Sequence, residues 1–267
     1  MIIKNIKQVL SLKFIILTIC IFAAISISSK NLLVDLINSN YLNVSINSLS
    51  AYDIILSVFL LLDYEYSIKY FLYILSIYLI PLLILSNFLY RQITEYSYYT
   101  IMRLKSYYIF IFNLISAIVI VSIVYFILGY STIILMNLDK VDIQNGIFSI
   151  LYKNNFSYFR LILRSLFINN LIIISLVGFI VTFSIICSNF YTILGITTTF
   201  LSMGIVGNLR FLPGYHAILF NSIDYKNFKI SNDTYIFYLI LIIFTIVSLV
   251  YTINFKKHLI SNINNSQ

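Results

Sequence analysis

The sequence predicts an all-α membrane protein with several transmembrane helices, and three observations lead to this prediction. Of the 267 residues, 61% are hydrophobic and only 10% are charged, and the mean hydropathy is +0.97. A soluble globular domain carries about a quarter charged residues. The apolar residues are also concentrated in long uncharged runs, which are typical of helices that cross a bilayer. A soluble enzyme and a disordered chain are therefore excluded. The scattered basic residues form no stripe for nucleic acid.

Five long apolar runs contain no Asp, Glu, Lys or Arg, and one of them can hold two helices. A helix needs about 20 apolar residues to cross the hydrocarbon. The run at 165–209 is about twice that length, and a polar break at 188–191 divides it. The run at 106–138 predicts one long helix, or a helix with an interfacial tail. We therefore expect a single transmembrane domain, 1–267, with six spans near residues 9–28, 70–90, 107–130, 165–187, 192–209 and 234–254.

The distribution of charge predicts that both termini are cytoplasmic. With the N-terminus inside, the inner segments hold eight basic residues and one acid, whereas the outer segments hold nine basic and eight acidic residues. Inner loops rich in Lys and Arg are the usual pattern. Arg160 and Arg164 fall on the outer side, where they would reach outer headgroups or pair with Asp139 and Asp142. The excess of Ile, Asn, Lys and Tyr indicates an AT-rich bacterial genome, so we expect the bacterial cytoplasmic membrane.

Two shorter segments have their own interpretations. Residues 54–62 form an apolar run that is too short to span, and we expect an interfacial helix on the outer leaflet. The N-terminal segment is read as the first span. The alternative is a cleaved signal peptide, with small residues at Ser26 and Ser28 near its end.

Catalytic and ion-binding patterns are missing from the sequence. His216 and His258 are the only histidines, and the predicted topology puts them on opposite sides of the membrane. The six predicted spans have no ionisable residue in their cores, whereas ion-coupled carriers normally need one. The chain also has no phosphate-binding loop. We therefore expect no enzyme activity and no cofactor bound by this chain, with any transport driven by a separate ATPase.

The segment 91–105, between the second and third spans, has the mixed polarity of an amphipathic helix. Glu95, Tyr98, Tyr99 and Arg103 recur at spacings of three and four, so they would share one helix face. One interpretation is an interfacial segment with basic anchors and tyrosines. The other is a cytoplasmic helix that docks into a partner protein.

This layout resembles the permease subunits of type-2 ABC exporters. The resemblance rests on the six spans, on Glu95 with the run at 98–106, and on Phe-Leu-Pro-Gly-Tyr-His at 211–216. Similar Leu-Pro-Gly stretches occur in permeases of low-GC Gram-positive bacteria, some linked to export of, or immunity to, antimicrobial peptides. The resemblance implies an ATPase subunit that holds ATP and Mg, and a homodimer or a heterodimer with a second permease. It also implies that this chain has a coupling helix that docks into the ATPase, with these residues: Glu95, Tyr98, Tyr99, Arg103 and Lys105.

Two further features of the fifth span have open interpretations. Pro213 and Gly214 form either a turn at its outer end or a re-entrant outer gate, as the resemblance implies. Gly195, Gly204 and Gly207 make this span the least bulky, and small residues let helices approach closely. They serve either packing within the chain or the interface between two permease copies.

The predicted function is export of a hydrophobic or amphipathic substrate, either a peptide or a lipid-like molecule. The predicted pathway offers Tyr, Ser, Thr, Asn and aliphatic groups without charge, which suits such a substrate. The alternative is a stand-alone membrane immunity or sensor protein that binds an antimicrobial peptide at its outer loops. A membrane-embedded peptidase or lipid transferase would need polar catalytic groups in a cavity, which the sequence does not supply.

Overall fold

The structure, a computed structural model, is built almost entirely of α-helices. It describes residues 2–39, 49–59, 68–94, 107–140, 146–148, 157–186, 190–206, 209–210, 212–217, 223–224 and 229–265. Within these ranges the helices are α1 (Ile2–Val9), α2 (Leu12–Asn38), α3 (Ala51–Phe59), α4 (Ile68–Thr94), α5 (Tyr107–Met136), α6 (Tyr158–Ile186), α7 (Phe190–Val206), α8 (Pro213–Ala217) and α9 (Asn232–Asn265). A 3-10 turn, Leu138–Lys140, follows α5. Two short strands, Ile223–Asp224 and Lys229–Ile230, pair antiparallel before α9.

Among the described residues, four helices are long and apolar enough to cross a bilayer, which makes this an all-α polytopic membrane protein. Their apolar parts are Leu12–Asn38, Phe71–Gln92, Phe112–Met136 and Tyr158–Ile180. Two further apolar helical segments are shorter, namely the 17 residues of α7 and Thr234–Ser248 within α9. The count of six spans and the cytoplasmic side of both termini stay predictions.

Paired contacts give the relative directions of neighbouring helices. Phe14 of α2 packs on Tyr125 of α5, with 5.8 Å between ring centroids. Ser26, farther along α2, accepts a hydrogen bond of 3.0 Å from Asn137, farther along α5. The contact positions advance together, so α2 and α5 are parallel. By the same reasoning, the contacts Ser122–Asn170 and Tyr130–Ser165 show that α5 and α6 are antiparallel. The contacts Phe167–Tyr235 and Gly178–Thr245 show that α6 and α9 are parallel.

A buried polar network joins α4, α5 and α6. Tyr78 of α4 donates to Asn169 Oδ1 of α6, and Asn169 Nδ2 donates to Tyr130 Oη of α5 at 2.9 Å. Tyr130 also shares a hydrogen bond of 2.9 Å with Ser165. All four side chains are buried. Since polar groups in hydrocarbon must be satisfied within the protein, this network sets the register of the three helices.

The interfacial helix predicted at 54–62 is wrong in its position, because α3 lies inside the bundle. Ile54, Ile55 and Leu56 are each 0% exposed. Phe59, at the end of α3, packs edge-on against Tyr130 with 5.8 Å between ring centroids. The helix contacts α2, α4, α5 and α6. The physical reason is that α3 is largely apolar and its acid, Asp53, is hydrogen-bonded within the protein, so the helix can be buried rather than lie on the membrane surface.

Several helices extend past the charges that bounded the predicted spans, and α2 and α6 are two of them. Helix α2 continues beyond Lys30 to Asn38, and α6 begins at Tyr158. Arg160 is therefore exposed on α6, and Arg164 is half-buried on it. Long basic side chains can lie along an apolar helix surface with their charge in water or headgroups, so a charge does not end a helix. Asp139 is exposed, and Asp142 lies outside the described residues.

Candidate functional site

The residues predicted to couple to an ATPase lie outside the part of the chain that the structure describes. They are Glu95, Tyr98, Tyr99, Arg103 and Lys105. The helices on either side are described, since α4 ends at Thr94 and α5 begins at Tyr107. Helix α1 packs against both of these helices.

Pro213 and Gly214 begin the short helix α8, which is buried against α6 and α7. Proline suits the first position of a helix, because the N–H that it lacks would have no partner within the helix. The backbone N–H of Tyr215 donates to the carbonyl of Leu212 at 3.1 Å. The two residues thus lie inside the protein, and their role in an outer gate stays a prediction.

The two described glycines of α7 have opposite surroundings. A Cβ on Gly204 would lie 2.8 Å from Gly214 Cα and from the backbone nitrogen of Tyr215. A Cβ on Gly195 would meet nothing within 4 Å, and this residue is exposed. Gly204 therefore serves packing within the chain, where α7 and α8 touch backbone to backbone. Gly195 leaves an open notch on the outer face of α7. Gly207 lies outside the described residues.

His216 anchors α8 to α9 through aromatic contacts. Its ring centroid lies 5.2 Å from those of Phe237 and Tyr238, and its Nε2 lies 3.1 Å from the carbonyl oxygen of Arg210. Burial lowers the pKa of His216 to about 4, despite the opposing effect of the Arg210 hydrogen bond. The imidazole is therefore neutral near pH 7 and packs as a buried aromatic side chain.

A buried carboxylate, Asp53, forms the most concentrated polar site among the described residues. The residue is 0% exposed. Its Oδ2 accepts hydrogen bonds of 2.9 Å from the backbone N–H groups of Ser50 and Ile147. Its Oδ1 accepts one of 3.1 Å from the backbone N–H of Phe148 and one from the hydroxyl of Tyr158. Four donors thus converge on one carboxyl group.

Three of the donors to Asp53 are backbone N–H groups, and that of Ser50 lies at the N-terminus of α3, which helps a carboxylate to be tolerated there. Ser50 and Asp53 form a capping box at the start of α3, since the Ser50 hydroxyl accepts from Tyr52 N at 3.1 Å. Tyr158 is the first residue of α6. Unpaired N–H groups and the helix dipole make such ends favourable for a negative charge. Burial raises the pKa of Asp53, and the hydrogen bonds oppose that rise.

The Asp53 site is built to join three segments rather than to react. All four donors point to its oxygens, and among the described residues no three His, Cys, Asp or Glu side chains could hold a metal ion together. The sequence analysis missed this site. The spacing Ser50-x-x-Asp53 was the available signal for a capping box. Its other partners lie 94 to 105 residues later in the chain, and no local sequence pattern predicts these contacts.

Comparison of the chain with protein-family models, with curated proteins and with solved structures finds no match.

Asp53→Asn should lower the stability of the protein in detergent by about 3 kcal/mol, because an amide cannot accept all four hydrogen bonds and each buried donor left unpaired costs about 1–3 kcal/mol. Thermal unfolding would measure this change. The control is Asp35→Asn, which alters an exposed carboxylate on α2 and should change stability by less than about 0.5 kcal/mol. Equal melting temperatures for the two variants would contradict the role of Asp53.

Alanine substitutions at three glycines should have opposite effects on stability. Gly204→Ala and Gly214→Ala place a Cβ against backbone atoms that cannot turn aside, and should destabilise by about 1–3 kcal/mol. Gly195→Ala fills open space and should stabilise by up to about 1 kcal/mol through helix propensity. Thermal unfolding of the three variants in one detergent tests the order. The contact between α7 and α8 would be refuted if Gly204→Ala matched Gly195→Ala.

Proposed function

We propose that this chain is the permease subunit of an ABC exporter in a bacterial cytoplasmic membrane, driven by a separate ATPase. In this proposal it has six spans with both termini in the cytoplasm. Glu95, Tyr98, Tyr99, Arg103 and Lys105 contact the ATPase, which holds ATP and Mg. The substrate is hydrophobic or amphipathic, either a peptide or a lipid-like molecule.

The arrangement of α7 and α8 is the observation that carries this proposal. The described part of α7, Phe190–Val206, is an apolar helix. The chain then returns into the protein as α8, which packs on α7 through Gly204 and Gly214. A short re-entrant segment after the fifth span is what the resemblance to type-2 exporters implies for the outer gate.

The exposed face of α7 supports a second part of the proposal, pairing with another permease copy. Residues three or four positions apart line this face without any charge, and they are Tyr191, Gly195, Thr199, Met203 and Val206. The Thr199 hydroxyl is bonded to the carbonyl of Gly195 at 2.8 Å, so the stripe presents small and apolar groups. Small residues on a membrane helix permit close approach of a partner helix.

The test of the ATPase partner is a mild-detergent pull-down of the tagged protein, with mass spectrometry of the retained subunits. The wild type should retain a stoichiometric soluble subunit with a phosphate-binding loop. Arg103→Glu should reduce that subunit at least tenfold, because it would reverse a charge at the docking surface.

Arg160→Glu is the matched control for this pull-down, since it reverses an exposed arginine on the opposite side of the predicted topology, and it should leave recovery unchanged. A clean preparation of this chain alone would refute the transporter proposal and favour the immunity or sensor protein. Equal losses in both variants would refute the docking role of Arg103.

A cysteine at position 199 should cross-link two copies of the chain, because a two-fold axis along α7 brings equivalent residues together. The experiment uses Thr199→Cys in a Cys20→Ser and Cys187→Ser background, with oxidation in native membranes and detection of the dimer by non-reducing electrophoresis. Ile243→Cys, on the exposed face of α9, is the control and should stay monomeric. Cross-linking through position 243 but not 199 would place the interface elsewhere.

A further inference from the structure

We propose that the first part of α6 binds the headgroup of an anionic phospholipid at one boundary of the bilayer. The binding surface, called the α6 arginine surface, consists of Arg160, Leu163, Arg164 and Phe167 of α6 and Tyr235 of α9. It is independent of the proposed transport function, since it requires only that α6 spans a bilayer.

The side chains of this surface form one continuous face. Leu163, Arg164 and Phe167 follow Arg160 at helical spacing, which puts all four residues on one side of α6. Arg160 is exposed and Arg164 is half-buried, while Leu163 is 50% and Phe167 45% exposed. The ring centroid of Tyr235 lies 6.0 Å from that of Phe167. Two arginines are therefore followed, on the same face, by exposed apolar and aromatic groups.

The apolar part of α6 begins directly after the two arginines. From Arg164 to its end at Ile186 the helix carries no further charge. At about 1.5 Å per residue this uncharged part extends for at least about 33 Å, which is enough to cross the roughly 30 Å of hydrocarbon. The neighbouring α9 runs parallel to α6 and begins at the exposed Asn232, less than one turn before Tyr235. The polar start of α9 is thus level with Arg164.

Helix α5 ends at the same level, which places the α6 arginine surface at a boundary of the bilayer. Tyr130 of α5 is level with Ser165 of α6, since their hydroxyls are 2.9 Å apart. The two helices are antiparallel, so the end of α5 at Met136 is level with the start of α6 at Tyr158. The turn that follows α5 carries the exposed Asp139. Three neighbouring helices thus change from polar to apolar at one level, as expected where headgroups meet hydrocarbon.

The two arginines have the chemistry to bind a lipid phosphate. Within the described residues, neither guanidinium forms a hydrogen bond or an ion pair, although Asp139 is near their level. Arg164 can lie along the apolar helix surface and extend its charge to the headgroups. A guanidinium donates readily to phosphate oxygens, and each basic residue near an anionic leaflet strengthens binding by about fivefold.

The side chains next to the arginines favour a lipid over an acidic protein as the occupant. Phe167 and Tyr235 lie about one turn deeper than Arg164 and are partly exposed. Aromatic side chains of this kind are typical of the zone between headgroups and acyl chains. An acyl chain can therefore pack on Phe167 and Tyr235 while its phosphate stays at Arg160 and Arg164.

The absence of tryptophan permits a direct test in the full-length protein. Leu163→Trp places a single fluorophore between the two arginines. The protein is reconstituted in mixed bilayers of phosphatidylglycerol and phosphatidylcholine, with dibrominated acyl chains on one lipid or the other. We expect the relative affinity for phosphatidylglycerol, measured by quenching, to be at least about fivefold above that for phosphatidylcholine. Arg160→Gln with Arg164→Gln should bring this ratio close to one.

The depth of the surface is tested with the same fluorophore. Acyl chains brominated close to the headgroup should quench Leu163→Trp more strongly than chains brominated near their ends. Ile243→Trp is the control for depth, because this exposed residue of α9 lies near the level of Gly178, whose Cβ position meets Thr245. It should show the opposite order. Stronger quenching of Leu163→Trp by the deeper bromines would overturn the position at the boundary.

Two double variants make the lipid preference specific. Lys4→Gln with Lys7→Gln removes exposed basic residues of α1, outside the α6 arginine surface, and should leave the ratio at position 163 unchanged. Arg160→Lys with Arg164→Lys keeps both charges and should retain a preference for phosphatidylglycerol. Equal quenching by both lipids, or a preference that survives Arg160→Gln with Arg164→Gln, would overturn the proposal. Loss of the preference in the lysine variant would assign the effect to altered packing and would also overturn it.

Discussion

A polar group inside hydrocarbon must have a hydrogen-bond partner within the protein. The polar side chains of α6 satisfy this constraint for three helices. Asn169 bonds to Tyr78 of α4 and to Tyr130 of α5, so a single amide ties three helices together. Each such bond contributes only about 0.6–2 kcal/mol, but a misplaced helix would leave several groups unpaired at once. Within the described residues, the buried side-chain atoms without a partner are Asn5 Nδ2 and Tyr238 Oη. The remaining helices pack around α6, which contacts α3, α4, α5, α7, α8 and α9.

The same constraint acts on Asp53, which is the buried acid among the residues whose burial the structure describes. Asp53 could not stay charged in an apolar interior without donors, since an isolated buried carboxylate is very costly. Its four hydrogen bonds supply these donors, and they connect the starts of α3 and α6 to residues 147–148. The largely apolar helix α3 can be buried in the bundle because this carboxylate caps its polar first turn. Packing of Phe59 on Tyr130 then brings α3 next to the polar network of α6.

The sequence predicts what depends on local composition and misses what depends on distant pairing. Uncharged runs predicted the apolar helices, and the polar break after residue 187 falls where α6 gives way to α7. The depth of α3 was not predictable, because its neighbours come from helices far along the chain. Gly195 and Gly204 show the same limit within one helix. Both are glycines of the same apolar helix, so the sequence does not distinguish them. Their surroundings differ because α8 packs against Gly204, whereas a Cβ on Gly195 would meet open space.

The burial of α8 restricts how the bundle can open near α7. Irregular backbone at membrane depth is tolerated only where protein or water covers it. The segment that leads into α8 meets this condition through the Leu212 carbonyl, which accepts from Tyr215, and through the Arg210 carbonyl, next to His216. Moving α8 away from α7 would open a gap at Gly204. Because His216 also packs on Phe237 and Tyr238 of α9, α8 is held by α9 as well as by α7.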